Sequence, residues 1–213
     1  QKENLEQQFD LIFQDISSQP VYVACVVDAM KEPVLQWFVS RWTLKPLFVA
    51  AEKQLAGVTN SYEKPEKLGV DRWLAMVAAY NKFGSAVCVI DCGTAVTVDV
   101  VDESGMHQGG LIMPGLQLMR ESLFSNASKI KSARGRVVDL ANNTEDAVES
   151  GCVRLLCSGL DQICQELQAK YTGLRLIITG GDGEFVARQM RKQATFIETL
   201  VLDGLCMASS KDC

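Results

Sequence analysis

The sequence predicts an α/β fold built on a partly parallel sheet, and three observations support this prediction. Helical and strand-like segments alternate along the first 50 residues, which is typical of helices packed on a sheet. The apolar run 86–90 and the β-branched run 94–101 predict two strands joined by a tight turn. A further apolar run, 174–179, predicts a strand that ends in paired glycines and leads into a helix.

The first 84 residues are predicted to alternate between helix and strand, with one long loop. Apolar residues at helical spacing predict a helix at 5–16, and Pro33 is expected to open a second helix because a first turn tolerates its missing N–H. Residues 51–67 show no strong periodicity and are predicted to be a loop, which at this length is usually functional or mobile. The other predicted elements of this part are strands at 21–27 and 46–50 and a helix at 70–80.

The remaining residues are predicted to form a sheet with helices around it. Asn143 is expected to cap a long helix, with Glu145 and Asp146 in the first turn, where the helix dipole favours carboxylates. The predicted strands are 86–90, 94–101, 107–113, 174–179 and 196–202. The predicted helices begin near residues 116, 144, 184 and 204.

Composition excludes several classes of protein. The chain has 213 residues, of which 47% are hydrophobic and 22% charged, so a folded core is expected. A net charge of −5 argues against nucleic-acid binding, and no apolar run reaches the roughly 18 residues of a membrane span. Eight cysteines without a CxxC pair and a single histidine argue against zinc; they indicate reduced thiols and a cytoplasmic protein.

The turn Asp91-Cys92-Gly93-Thr94 is the first candidate functional region. The glycine allows close approach of a ligand to the backbone, and the threonine hydroxyl beside backbone N–H groups suits a phosphate oxygen. A carboxylate at the end of a buried strand is costly unless a cation or a donor meets it. An ordinary β-hairpin with an Asp-led turn explains the same pattern.

Two further clusters carry chemistry-bearing residues. Gly180-Gly181-Asp182 follows a strand, and paired glycines there permit flat approach of a nucleotide; an ordinary strand-to-helix connection is the alternative. Gly69-Val70-Asp71-Arg72 opens a helix, where the carboxylate could accept a hydroxyl proton and the guanidinium could hold a substrate. A first-turn carboxylate with a surface partner is the alternative.

Taken together, these motifs resemble those of the type III pantothenate kinases, which belong to the actin-like and sugar-kinase superfamily. The resemblance spans essentially the whole chain, and the order of its motifs is highly specific. It rests on 60–62 (NSY), 69–73 (GVDRW), 91–97 (DCGTAVT), 109–115 (GGLIMPG), 143–144 (NT) and 179–182 (TGGD). It implies an actin-like (ribonuclease H-like) fold of two lobes, 1–84 and 85–213, with ATP between them.

The resemblance implies ATP-dependent phosphorylation of pantothenate to 4′-phosphopantothenate, the first step of coenzyme A biosynthesis. Asp71 would be the general base that takes the proton of the pantothenate primary hydroxyl. Arg72 would hydrogen-bond that substrate, and Tyr62, Gly69 and Val70 would line its pocket.

The nucleotide and its cations are implied in the same way. Asp91 would help to hold a monovalent cation, K⁺ or NH₄⁺. Gly93 and Thr94 would face the phosphates of ATP, and Gly180 and Gly181 would border the adenine.

A homodimer is also implied, because Thr144 matches a threonine that reaches the substrate of the neighbouring subunit. Members of the family begin with a strand that carries Asp-x-Gly-Asn-Thr, whose aspartate engages Mg²⁺, and no such motif precedes Asp91. We therefore expect two or three strands, roughly 40 residues, to precede Gln1. The chain as written would lack its Mg²⁺ carboxylate and be inactive or impaired.

Alternatives of two kinds stay open at this point. Another small-molecule kinase of the superfamily is disfavoured by Tyr62, Asp71 and Arg72, whereas a non-catalytic accessory or regulatory relative would share the same fold. His107, beside two glycines, is expected to be structural. The basic segment 129–136 is expected to be a solvated loop.

Overall fold

The structure, a computed structural model, describes residues 20–126 and 135–210 of the chain. Its first part has short strands around two helices. In chain order the elements are β1 (Tyr22–Ala24), α1 (Asp28–Trp42), β2 (Leu47–Val49), β3 (Gln54–Leu55), β4 (Val58–Thr59), a 3₁₀ turn (Pro65–Lys67) and α2 (Val70–Phe83).

The second part supplies the main sheet and four helices of the described chain. In chain order its elements are β5 (Val87–Cys92), β6 (Ala95–Val101), β7 (His107–Pro114), α3 (Leu116–Asn126), α4 (Thr144–Lys170), β8 (Arg175–Thr179), α5 (Gly183–Gln189), β9 (Thr195–Phe196) and α6 (Leu200–Ser209).

The main sheet has five strands in the order β7-β6-β5-β8-β9. β5, β6 and β7 form a meander in which β6 runs antiparallel to both neighbours, whereas β8 pairs parallel to β5 and β9 parallel to β8. This mixed sheet, with helices between its parallel strands, confirms the predicted α/β class.

Strand β5 lies at the centre of the sheet and is buried on both faces. Cys88 and Ile90 point to the face covered by α4, where they pack with Leu160 and other apolar residues. Val87 and Val89 point to the opposite face, which α2 and α6 cover. Since side chains alternate along a strand, this double burial explains why the segment is an unbroken apolar run.

The parallel pair β1–β2 belongs to a separate small sheet, with α1 beside it. Val34, Trp37 and Phe38 on α1 form a core of their own there. The division of the chain into lobes at residue 84 stays a prediction. Helix α2 itself packs on β5 and α6.

Three element predictions were wrong in their bounds. Helix α1 begins at Asp28, so Pro33 lies inside it instead of opening it. The predicted loop 51–67 contains the hairpin β3–β4 and the 3₁₀ turn; Gly57, with φ +84°, lies in the hairpin turn. The predicted strand 196–202 ends at Phe196, because residues 200–202 begin α6, where Leu200 is fully buried.

Some predictions fall outside the described residues. These are the helix at 5–16 and residues 129–134 of the basic segment. Among the described residues, no helix combines the length and apolar character that crossing a membrane requires. The seven cysteines that the structure describes are all unpaired thiols.

The contact between α2 and α6 yields a test of the packing. A Cβ on Gly204 would collide with the backbone carbonyl of Leu74, whereas a Cβ on Gly159 of α4 would meet no atom within 4 Å. We expect Gly204→Ala to lower the free energy of unfolding by about 1–3 kcal/mol through overpacking. Gly159→Ala should raise it by up to about 1 kcal/mol, because alanine has the higher helix propensity. Urea unfolding measures both; equal stability of the two variants would contradict this packing.

Candidate active site

The carboxyl ends of β5 and β8 bring two of the predicted clusters together. Asp91 on β5 lies in register with Thr179 on β8, and the N–H of Asp182 donates to the carbonyl of Cys92 at 2.9 Å. Gly180, with φ +90°, lies so close to β5 that a Cβ would collide with the Asp91 carboxylate and the Cys92 carbonyl. Two turns that are far apart in sequence therefore form one surface at the sheet edge.

The tip of the turn between β5 and β6 is exposed to solvent, and backbone hydrogen bonds fix its shape. The N–H of Gly93 donates to the carbonyl of Ala95 at 3.0 Å, and the N–H of Gly115 donates to the carbonyl of Thr94 at 3.0 Å. Thr94 itself is exposed. Its hydroxyl can therefore meet a ligand, as the phosphate interpretation of this turn requires.

The start of α2 holds the Asp71 carboxylate in a fixed orientation. Gly69 is the N-cap residue, and Asp71 Oδ1 accepts a hydrogen bond from the backbone N–H of Arg72 at 2.8 Å. A Cβ on Gly69 would lie 2.7 Å from that same oxygen, so glycine leaves room for the carboxylate. Asp71 lies in the first turn of α2, where the positive end of the helix dipole attracts a carboxylate.

A buried ion pair fixes the side chain of Arg72. Its Nε donates to Asp99 Oδ2 at 2.8 Å and its Nη2 to Asp99 Oδ1 at 2.7 Å, while Nη1 donates to the hydroxyl oxygen of Tyr62 at 3.2 Å. Burial opposes the charge of Arg72, but the hydrogen bonds and attraction of Asp99 outweigh it and raise its pKa further. Gly110 on β7 permits this pair, because a Cβ there would collide with the Asp99 carboxylate.

Asp99 is the site residue that sequence reasoning missed. It lies in β6 among valines and is 2% exposed. The available signal was the carboxylate itself, because an aspartate inside an apolar strand must be paired. His107 also contacts it: Nε2 of the ring lies 3.1 Å from Asp99 Oδ1.

The negative charge of the Asp91 carboxylate is not balanced by an ion pair with any described residue. Burial, followed by repulsion from Asp71 and then Asp99, raises the pKa of Asp91. Among the described residues it has no ion-pair partner. This coupling shows that the Asp91 turn, the start of α2 and the buried pair share one electrostatic environment.

The described residues of this site do not form a metal site made of protein ligands alone. The described parts of the chain contain no group of three His, Cys, Asp or Glu side chains that could hold a metal ion. A single carboxylate such as Asp91 suits a cation that also takes oxygens from backbone, water or a bound phosphate. The residues present thus fit a shared cation site.

Comparison with known proteins identifies the family. The family model described as type III pantothenate kinase matches residues 1–166. The chain belongs to the type III pantothenate kinase family. The resemblance to the type III pantothenate kinases is therefore confirmed, and the accessory or regulatory alternative is not favoured.

Individual relatives agree. The type III pantothenate kinase of Nitrosococcus oceani is 35% identical over 182 residues, covering 82% of this chain and 68% of that protein. Those of Azoarcus sp. and Azotobacter vinelandii are 38% and 40% identical, covering 78% and 79% of this chain and 62% and 70% of their own lengths. A solved structure from Campylobacter jejuni, described as a Baf family transcriptional activator, has a TM-score of 0.61 at 22% identity; it covers 96% of this chain and 88% of that one, and shows the same fold.

In this member of the kinase family the predicted site residues fall into distinct groups. Asp71 and Arg72 lie at the start of α2, and Arg72 holds Tyr62. The residues at the sheet edge are Asp91, Gly93, Thr94, Gly180 and Gly181. Val70 is buried in the apolar core under α2, which places its side chain away from solvent.

Thr144 lies elsewhere, at the beginning of α4. It lines an apolar groove of about 1060 Å³ between α3 and α4, and no groove-lining residue belongs to the Asp71 or Asp91 clusters. The predicted cap is confirmed, because Asn143 Oδ1 accepts from the N–H of Asp146 at 2.8 Å. Arg136, from the basic segment, pairs with Asp146 at 3.1 Å.

The raised pKa of Asp91 predicts a pH-dependent cost to stability. The ordinary value is 3.8, and a folded-state pKa above it means that the folded protein resists ionisation of Asp91. The cost is therefore absent below pH 3.8 and grows as pH rises through the folded pKa. We expect Asp91→Asn to have a higher free energy of unfolding than the unsubstituted protein at pH 7, with the gap narrowing toward pH 4.

Asp102→Asn is the matched control for that comparison. Partial burial works against its ionisation, but hydrogen bonds from Ser104, Met106 and Gln108 outweigh it and lower the pKa of Asp102. Its replacement should therefore reduce stability at pH 7. Urea unfolding in potassium-free buffer measures both, and a loss of stability in Asp91→Asn at pH 7 would contradict the assignment.

Proposed function

We propose that this protein transfers the γ-phosphoryl group of ATP to the primary hydroxyl of pantothenate, as the names of its relatives indicate for them. The observation that carries the proposal is the start of α2, where the Arg72 N–H holds the Asp71 carboxylate and the Arg72 side chain is paired with Asp99. Asp71 also lies close enough to Asp91 to repel its carboxylate, so a base and a buried guanidinium would stand beside a turn suited to phosphate. Phosphoryl transfer depends mainly on positioning and charge compensation, and these groups supply both.

ATP is proposed to bind at the carboxyl ends of β5 and β8. Gly93 and Thr94 would face its phosphates, and Gly180 and Gly181 would border the adenine. The contact between the two turns supports this placement, because one ligand can span both. Members of the family use ATP, and a divalent metal bound with it would neutralise phosphate charge.

Pantothenate is proposed to bind against Arg72 and Tyr62. Arg72 has five N–H donors, of which three are used by Asp99 and Tyr62, so two are left for a substrate. The Tyr62 hydroxyl accepts from Arg72 and can still donate its own hydrogen. Gly69 would form the wall beside them, and Val70 would support that wall from the core.

Asp71 is proposed to act as the general base. Its Oδ1 is engaged by the Arg72 N–H, which orients the carboxylate and leaves the second oxygen for the substrate hydroxyl. That oxygen would take the hydroxyl proton as the alkoxide oxygen bonds to the γ-phosphorus and the bond to the ADP oxygen breaks. Arg72 and the cations would compensate the charge on the transferred group.

Asp91 is proposed to hold a monovalent cation, K⁺ or NH₄⁺. The support is its raised pKa and its lack of a positive partner among the described residues. A single positive charge would remove the repulsion that Asp71 and Asp99 exert on it. The cytoplasmic location predicted from the cysteine pattern is part of the same proposal.

The test is phosphorylation of pantothenate by the full-length protein with ATP and Mg²⁺, with and without K⁺. We expect product, and more of it with K⁺. Asp71→Asn should lower kcat by about 10²-fold or more while ATP still binds, because the base is removed and the shape is kept. Asp203→Asn, a first-turn aspartate on α6, is the matched control and should retain the activity of the unsubstituted protein.

Two outcomes would overturn the proposal. A folded full-length protein that forms no phosphopantothenate would leave the accessory relative as the better interpretation. Turnover by Asp71→Asn equal to that of the control would remove Asp71 from the mechanism.

We also propose a homodimer formed through the groove between α3 and α4. Leu118, Leu123 and Leu155 line it and are 43, 45 and 68% exposed. Thr144 also lines this groove. The family resemblance implies that Thr144 reaches the substrate of the neighbouring subunit. A second copy bound in the groove would therefore contact Thr144. The same patch would serve both subunits about a twofold axis.

Two variants, one in the groove and one outside it, test the proposed dimer interface. Leu155→Arg should give a monomer with reduced activity, because a charge would be buried in the interface. Leu202→Arg, on α6 and 60% exposed, should leave the dimer intact. Sedimentation of both proteins measures the association state; a dimeric Leu155→Arg protein would place the interface elsewhere.

A further inference from the structure

His107, the one histidine of the chain, is buried against the proposed pantothenate pocket. Its side chain is 0% exposed and comes from the beginning of β7. Nε2 lies 3.1 Å from Asp99 Oδ1, and Nδ1 lies 3.1 Å from the hydroxyl of Ser61. The ring also stacks on Tyr62, with centroids 6.0 Å apart and planes at 15°.

The contact with Asp99 determines that Nε2 of His107 carries a hydrogen. A carboxylate that is ion-paired with Arg72 only accepts hydrogen bonds, so Nε2 carries the hydrogen and donates it to Asp99. On the other side of the ring, Nδ1 lies within hydrogen-bond distance of the Ser61 hydroxyl. The result is a chain of hydrogen bonds from Ser61 through His107 to Asp99 and on to Arg72.

Each link in this chain constrains a wall of the pocket. Asp99 Oδ1 receives donors from both Arg72 and His107, which removes its freedom to rotate. Ser61 precedes Tyr62, so its bond holds the His107 ring against the end of the loop from which Tyr62 projects. Stacking fixes the Tyr62 ring itself.

The loop end is anchored independently by Asn60. Its Oδ1 accepts from the N–H of Tyr62 at 3.0 Å, and its Nδ2 donates to the carbonyls of Glu52 and Pro65 at 3.2 and 3.3 Å. Backbone contacts therefore hold the loop in place without His107. The contribution left to His107 is the orientation of the side chains of Arg72 and Tyr62.

We propose that His107 is a positioning residue for pantothenate: it orients Arg72 through Asp99, and Tyr62 through Ser61 and ring stacking. It touches neither substrate nor phosphate. This inference rests on the proposed function, since it assigns the residue that shapes the substrate pocket of that same site. It predicts an effect on pantothenate that is separate from any effect on ATP.

The kinetic test uses three variants of the full-length protein. His107→Phe keeps a ring for Tyr62 but removes the donor to Asp99, and it should raise KM for pantothenate about tenfold with KM for ATP unchanged. His107→Gln places an amide N–H near the position of Nε2 and should bring that KM back to within about threefold. Gln108→Ala is the control, because the neighbouring side chain on β7 bonds Asp102 instead; it should leave both constants unchanged.

A spectroscopic test does not depend on activity. With ¹⁵N-labelled histidine the protein should show a single imidazole with hydrogen on Nε2. In Ser61→Ala the Nδ1 resonance should shift, because its hydrogen-bond partner is lost. A ring with hydrogen on Nδ1 alone would overturn the proposed chain.

The kinetic and spectroscopic tests distinguish a failure of the proposed function from a failure of the positioning role of His107. If the unsubstituted protein does not phosphorylate pantothenate, the proposed function fails, while the spectrum still reports whether the hydrogen-bond chain exists. If it is active and His107→Phe raises both KM values equally, or neither, the positioning role is overturned. Should His107→Phe not fold, Ser61→Ala replaces it and should raise KM for pantothenate about threefold; no change would overturn the role.

Discussion

The buried pair of Arg72 and Asp99 is the interaction on which the candidate site depends. It joins α2 to β6, and its side chains are 7 and 2% exposed. Removing one partner from such a pair leaves an uncompensated charge inside the protein, which costs far more than the pair contributes as a whole. Because Arg72 directly follows Asp71, the same pair also fixes where the proposed base stands.

Close approach of backbone segments sets the other half of the site. β5 is buried on both faces, so its carboxyl end projects from the most rigid part of the sheet. The turn after β8 lies directly against it only because Gly180 has no Cβ. A rigid edge made of two turns is a suitable place for a ligand that must be held in line with a second substrate.

Sequence reasoning could find the parts of the site that lie in short motifs. The start of α2 and the turn after β5 each carry their signal within four residues, and both are placed as predicted. The contact of Asp99 with Arg72 could not be found in this way, because the two residues are 27 positions apart and the pairing depends on how α2 crosses the sheet. The hairpin β3–β4 was missed because strands of two residues show no periodicity.

The arrangement of charge explains why the proposed reaction requires cations. Arg72 is committed to Asp99 by two of its donors, so it compensates that carboxylate before it meets any ligand. Asp91 and Asp71 remain, and burial, followed by repulsion from Asp71, raises the pKa of Asp91. ATP would bring further negative charge to the same edge. At the proposed site a phosphate group would approach these carboxylates together with positive ions, so the binding of nucleotide and the binding of cations would each favour the other.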